Sequence, residues 1–229
     1  MTQLPTLAKR LSRSALDLVF TPRCAGCKRE GSYLCNPCLT AVHRLDAPYF
    51  PRGASPLDGA PREPLAIAAV YAPFVMQGAM RDAIHQLKYL GVRDIAPVLA
   101  AHLDDFLEQH HLDVDTIIPV PLHRDRLRQR GYNQAELIAK AVALWRGLPL
   151  DAHCVERTRH SPPQARSGSS GARWAQVRDV FRPTRPLFDK RILLIDDVCT
   201  TGATLDACAQ ALKNAGASSV IGLTVARQL

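Results

Sequence analysis

No apolar run in the chain approaches the ~20 residues that a bilayer-crossing helix needs. Leu16 to Phe20 is too short for the apolar core of a secretory leader, although Lys9, Arg10 and Arg13 precede it. A cytoplasmic location is expected, with no membrane span. Acids are the scarcer charge: 21 Asp and Glu stand against 29 Lys and Arg, a net charge of +8. That balance points to anionic partners such as nucleotides, pyrophosphate or nucleic acid, without choosing among them. Tryptophan is nearly absent, with two residues. Trp145 reads as helix core and Trp174 stands alone in a basic stretch, so the tryptophans make no stacking platform. This weakens sequence-specific readout of a single strand and leaves electrostatic binding open. The seven cysteines, in a reducing compartment, argue for a metal or inert thiols rather than disulfides.

What remains is globular: 229 residues, 47% hydrophobic and 22% charged. That length suits one ordinary domain with an appendage, or two small domains. Three segments are expected: an N-terminal module over 1–45, a linker over 46–64 and an α/β domain over 65–229. Leu4, Leu7, Leu11, Ala15, Leu18 and Val19 recur at helical spacing, predicting a short amphipathic helix that packs on the next module. Cys24 and Cys27 form one CxxC pair; seven residues later Cys35 and Cys38 form another. Four thiolates this close can converge tetrahedrally on Zn²⁺, with no position left open, so the metal would be structural. An iron–sulfur cluster, a redox pair or buried thiols are the other readings. Gly31 provides the tight turn between the pairs, and nearby His43 is expected at the surface. The linker is read from Pro48, Pro51, Pro56, Pro61 and Pro64 with Gly53 and Gly59.

Beyond the linker, strands alternate with helices, the pattern of a parallel sheet. Leu65 to Tyr71 predicts a strand, and Met76 to Leu90 a helix stopped at Gly91. Val92 to His110 predicts a second helix, and Thr116 to Pro121 a strand. A loop follows to Gly131, with Arg124, Arg126, Arg128 and Arg130 alternating along it; so basic a loop suits pyrophosphate or another polyanion. Tyr132 to Trp145 is helical with Asn133 as its cap. The stretch that organises the rest is Arg191 to Thr204. Ile192 to Ile195 reads as a buried strand. Asp196 and Asp197 follow, then Thr200, Thr201, Gly202, Ala203 and Thr204 open a helix running to about Asn214. Ligands of open α/β sheets sit at the carboxyl ends of strands. Free N–H groups at a helix start favour an anion, and Gly202 admits close backbone approach. The carboxylates suit vicinal hydroxyls, so a sugar phosphate satisfies both halves.

This stretch resembles the phosphoribosyl pyrophosphate (PRPP) signature of type I phosphoribosyltransferases: four apolar residues, two acids, two apolar residues, then a hydroxyl–glycine loop. Cys199 departs from it, standing where a larger apolar residue is usual. With the double CxxC, the segment Leu87 to Gly91 (LKYLG), Pro119 to His123 (PVPLH) and Arg130 to Gln134 (RGYNQ), the chain from about Cys24 to Leu229 resembles the ComF family of bacterial competence proteins. The resemblance implies a type I phosphoribosyltransferase-like sheet flanked by helices and a small zinc module. It implies PRPP bound with Mg²⁺. Asp196 and Asp197, the candidate catalytic pair, would contact the ribose hydroxyls, and Cys199 to Thr204 would hold the 5′-phosphate. Pro121, Leu122, His123 and the four arginines, with Lys88, would face the pyrophosphate. Arg157, Arg159, Gln164, Arg173 and Phe181 match the family's Arg-rich segment, which in phosphoribosyltransferases covers the site; Gln176 and the Ser167 to Gly171 run depart from it. No base-recognition element is legible. The reading favoured is a PRPP-binding protein of DNA uptake, with single-stranded DNA and DNA-uptake or recombination proteins as candidate partners. The alternative is an active phosphoribosyltransferase of nucleotide salvage.

Overall fold

The computed structural model describes residues 21–50, 65–159 and 180–229. The expected helix over 4–20 lies outside them, as do most of the linker, Trp174 and the middle of the Arg-rich segment. The elements in chain order are α1 (Asn36–Thr40), β1 (Ala69–Tyr71), β2 (Phe74–Val75), α2 (Gly78–Tyr89), α3 (Ile95–His110), β3 (Thr116–Pro119), α4 (Arg124–Arg130), α5 (Gln134–Arg146), β4 (Val155–Arg157), β5 (Phe181–Pro183), β6 (Arg191–Cys199), α6 (Ala203–Asn214) and β7 (Ser219–Arg227).

β1, β7, β6 and β3 lie side by side in that order, all parallel, and β2 continues the β1 edge against β7. β6 is central. Ile192, Leu193, Leu194 and Ile195 are fully buried, as the apolar run requires of a strand covered on both faces. Its alternation divides the core. Leu193 and Ile195 face the layer built by α2, α3 and α5, whereas Ile192 and Leu194 face the layer of α6, β4 and β5. β4 and β5 form a separate antiparallel pair.

Helix ends follow the expected signals. Gly91 (φ +72°) ends α2 and Gly216 (φ +99°) follows α6. The Asn133 side chain accepts from the Ala135 N–H and donates to the Val120 carbonyl, 3.0 Å away, so it caps α5 and fixes the loop after β3.

Four readings are corrected. The strand Arg191–Cys199 is longer than its apolar run, so Asp196 and Asp197 lie inside it, Asp196 opposite Thr224. The loop after β3 is largely the helix α4, capped by His123, whose Nδ1 accepts from the Asp125 N–H. Trp145 is 46% exposed, because it falls in the last turn of α5, where Arg146 turns away to Asp104. Tyr49, within the stretch read as linker, pairs with Val70 through both backbone hydrogen bonds, so the chain is already docked on the sheet edge there. The four-Cys segment shares this core as well: Ala25, Leu34 and Val42 belong to the same apolar cluster as Phe74, Met80 and Ile84. A Cβ on Gly26 would come within 2.8 Å of the Ala79 Cβ.

Candidate functional site

The acid pair stands at the carboxyl end of the central strand. Asp197 is 6% exposed, and Lys88 Nζ, reaching from the last turn of α2, lies 2.7 Å from its Oδ1. The sequence grouped Lys88 with the cations expected to face the pyrophosphate; here it is the ion-pair partner of Asp197. Burial works against the Lys88 charge, but the field of Asp197 and the hydrogen bond to it win, and the ammonium is stabilised. Asp196 accepts the Asp197 N–H through Oδ1 at 2.8 Å. Desolvation, then the neighbouring Asp197 charge, push its carboxyl up to about 7. The two acids thus divide: Asp197 is held by an ion pair, whereas Asp196 feels Lys88 and Arg157 only through their fields and spends one oxygen on the Asp197 N–H.

Arg157 on β4 approaches from the other side. Its guanidinium is within electrostatic reach of both Asp196 and Arg126, and its Nε has no hydrogen-bond partner among the described residues. Arg157 was named in the sequence only through the family's Arg-rich segment; the antiparallel pairing with β5 carries it to the acid pair.

Past Cys199, whose buried thiol is pushed up to about 12 by desolvation, the chain turns at Thr200 and Thr201. Gly202 enters α6 at φ +81°, where a side chain would be strained. The Ala203 N–H points to Thr201 Oγ1 at 3.4 Å, and Asp206 accepts from the N–H groups of Ala66 and Ile67 at 2.8 and 3.1 Å. The second pair of bonds ties α6 to the chain entering β1. Thr200 is exposed, Thr201 and Thr204 half-buried, Ala203 buried. A polar turn ahead of a helix N-terminus, with its orphan N–H groups, can hold an anion beside the acids.

The basic segment does not act as one surface. A helix turns about 100° per residue, so alternate arginines splay. Arg124 lies 3.6 Å from Glu156, and Arg126 lies near Arg157. Arg128 pairs with Asp125 at 3.7 Å, and Arg130 lies over the Tyr89 ring. Pro121, Leu122 and His123 form the half-buried turn that carries β3 into α4.

In the N-terminal segment the Sγ atoms of Cys24, Cys27, Cys35 and Cys38 all lie within 4.8 Å of one another, and Cys27 and Cys35 are 3.6 Å apart. Zn–S bonds of ~2.3 Å in a tetrahedron set sulfurs ~3.8 Å apart, so the cluster fits a structural zinc ion. Burial raises the Cys24 thiol, but backbone N–H groups of Cys35, Cys27 and Gly26 outweigh it and lower the thiol to about 6, toward the thiolate a metal requires. His43 is exposed, and among the described residues no other such ligand cluster forms. No helix of the described residues is long and apolar enough to cross a membrane.

A parallel sheet with an acid pair and a glycine-started helix at its central strand defines a phosphoribosyltransferase-type domain. The model of the phosphoribosyl transferase domain family matches residues 127–229. The DNA utilization protein YhgH of Shigella flexneri is 32% identical over 205 residues, covering 86% of this chain and 85% of that protein. Competence protein F of Haemophilus influenzae is 32% identical over 162 residues, covering 69% and 66%. Competence protein ComFC of Streptococcus pneumoniae is 30% identical over 156 residues, covering 68% and 67%. The chain belongs to the ComF family of competence proteins.

Proposed function

We propose that the protein binds PRPP through its phosphoribosyltransferase-type domain and serves DNA uptake, by handling the incoming DNA or a protein that processes it. The observation that carries the binding reading is the continuity of the acid pair in β6 with the Gly202 turn and α6. Within one short stretch, acceptors for two vicinal hydroxyls adjoin donors for a phosphate. The Asp196 oxygens accept the ribose hydroxyls, and Lys88 holds Asp197 as the fixed neighbour. The turn from Thr200 to Thr204 receives the 5′-phosphate. Arg126 and Arg157 supply cations beside the acids. Mg²⁺, which leans on phosphate oxygens and water with one or two carboxylates, would enter with PRPP and offset the charge of the pyrophosphate. The oxygens of Asp196 fit that donor set. Zinc stays at the four cysteines, away from this chemistry.

The DNA-uptake role rests on the relatives, which are named for DNA utilization and competence. Those names do not favour nucleotide salvage. Single-stranded DNA and DNA-uptake or recombination proteins are the candidate partners.

Calorimetric titration of PRPP with Mg²⁺ tests the site. Wild type should bind, and Asp196→Asn, which keeps the acceptor for the Asp197 N–H, should bind at least tenfold more weakly. A folded, zinc-loaded wild type that gives no heat with PRPP would overturn the reading.

A further inference from the structure

The end of α2 carries a feature that neither the acid pair nor the zinc module uses. Next to Lys88, whose side chain turns in to Asp197, Tyr89 turns out: it is 66% exposed, and Leu90 beside it is 64% exposed. The Tyr89 ring adds nothing to the core. Instead it draws two polar side chains to its faces. The Arg130 guanidinium lies over it, 5.4 Å from the ring centre, and the His85 ring is 4.9 Å away. Beyond Gly91, Arg93 lies over the Tyr132 ring at 4.5 Å, and the Tyr132 hydroxyl donates to the Leu87 carbonyl, so this second pair is anchored to the same helix end. Gly131 joins the two, its Cα side 3.2 Å from Arg93 Nη2 if a Cβ were present.

Neither Arg93 nor Arg130 has a carboxylate partner among the described residues, whereas Arg23, Arg81, Arg124, Arg128, Arg146, Arg182, Arg185 and Arg191 all do. An exposed phenol ring with one guanidinium at its face and a second on the neighbouring Tyr132, neither paired with an acid, is complementary to a planar ring that carries phosphate. Stacking serves the plane, and the free cations serve the phosphate.

We propose that Tyr89, with Arg130 and Arg93, is a platform for a nucleobase at the rim of the PRPP site. Stacking on a ring face is tolerant of sequence because every base has such a face, so the platform takes any base. It rests on the proposed reading only for its place beside Lys88; the platform itself needs no PRPP. The base arrives either on a single strand or on a free nucleotide, and the chemistry is the same for both.

The test uses the full-length, zinc-loaded protein and three probes: an oligothymidylate, an abasic strand of equal length, and thymidine 5′-monophosphate. Tyr89→Ala should weaken the oligothymidylate roughly five- to a hundredfold, as about 1–3 kcal/mol per stacked base implies. Tyr89→Phe should retain the affinity, and the abasic strand should not respond to either change. A matching loss on the monophosphate assigns the platform to free nucleotides; a loss on the strand alone assigns it to DNA. Unchanged oligothymidylate affinity in Tyr89→Ala, or an equal loss on the abasic strand, overturns the proposal. PRPP titrated into the same variants separates the two readings: wild type that stacks the strand but ignores PRPP sinks the sugar-phosphate site and leaves the platform standing.

Discussion

The two neighbouring carboxylates of β6 have opposite energetics. Asp197 is compensated: removing Lys88 leaves its charge buried beside Asp196. Lys88→Met should therefore cost roughly 3 kcal/mol, the scale for stranding one partner of a buried pair. Adding Asp197→Asn should recover most of that loss. Denaturant unfolding of the four species in the cycle reads the coupling directly, and additive single effects would mean the pair is not an energetic unit. Asp196 has no ion-pair partner, and the fields of Lys88 and Arg157 do not offset its desolvation, so its sign is opposite to that of an ordinary salt-bridged acid. Its unfolded carboxyl titrates near 3.8 and its folded carboxyl near 7. Between those values the folded state keeps a proton that the unfolded state has released, so stability falls as pH rises through that window and stays reduced above it. Asp196→Asn cannot ionise. It should melt above wild type near pH 8, with the advantage closing as pH falls toward 4. An advantage of equal size at both ends would assign it to packing instead.

Among the elements, those whose environment is uniform were legible. β6 announces itself by its apolar run, α5 by its Asn133 cap and an apolar stripe that Trp145 would extend, and the cysteine module by spacing alone. The misreadings fall where local pattern and tertiary demand part. The strand β6 outruns its apolar core because β7 stays paired with it as far as Cys199 opposite Arg227, past the acid pair, where hydrophobicity no longer marks a strand. α4 hid because alternating arginines resemble a loop and none of its residues is buried. Trp145 fits the stripe by spacing, but the helix ends before a neighbour covers it. The ion pair of Lys88 with Asp197 joins residues far apart in sequence, which no local pattern encodes. The cysteine module was read as an appendage because its apolar residues are few. In the fold, Ala25, Leu34 and Val42 complete the core over α2. Cys24→Ser should therefore do more than release zinc. Metal analysis should show zinc lost, and the main thermal transition should itself move down, since losing a structural metal withdraws folding energy. Zinc lost with an unmoved transition would mean the module unfolds alone.

At the scale of the whole molecule, net charge of +8 is spent unevenly. Half of the described arginines are answered by acids, as Arg182 is by Glu156 and Arg191 by Asp115. Of the arginines left over, Arg157 stands within electrostatic reach of the acid pair, and Arg130 and Arg93 stand over Tyr89 and Tyr132 at the end of α2 that carries Lys88. Binding of a single strand should therefore depend on few phosphates despite the large net charge. Each phosphate neutralised on a single strand contributes a slope of about −0.7 to log K against log salt, so three or four contacts give about −2 to −3. Arg130→Gln should flatten the slope by about 0.7 and weaken all strands alike, abasic ones included, while Tyr89→Ala should leave the slope in place and lower the affinity at every salt concentration. Fluorescence anisotropy of an oligothymidylate across a salt series separates the two. A flat response in wild type would remove electrostatics as the basis of strand binding. A much steeper one would mean that the strand follows the basic surface broadly rather than crossing it at the end of α2.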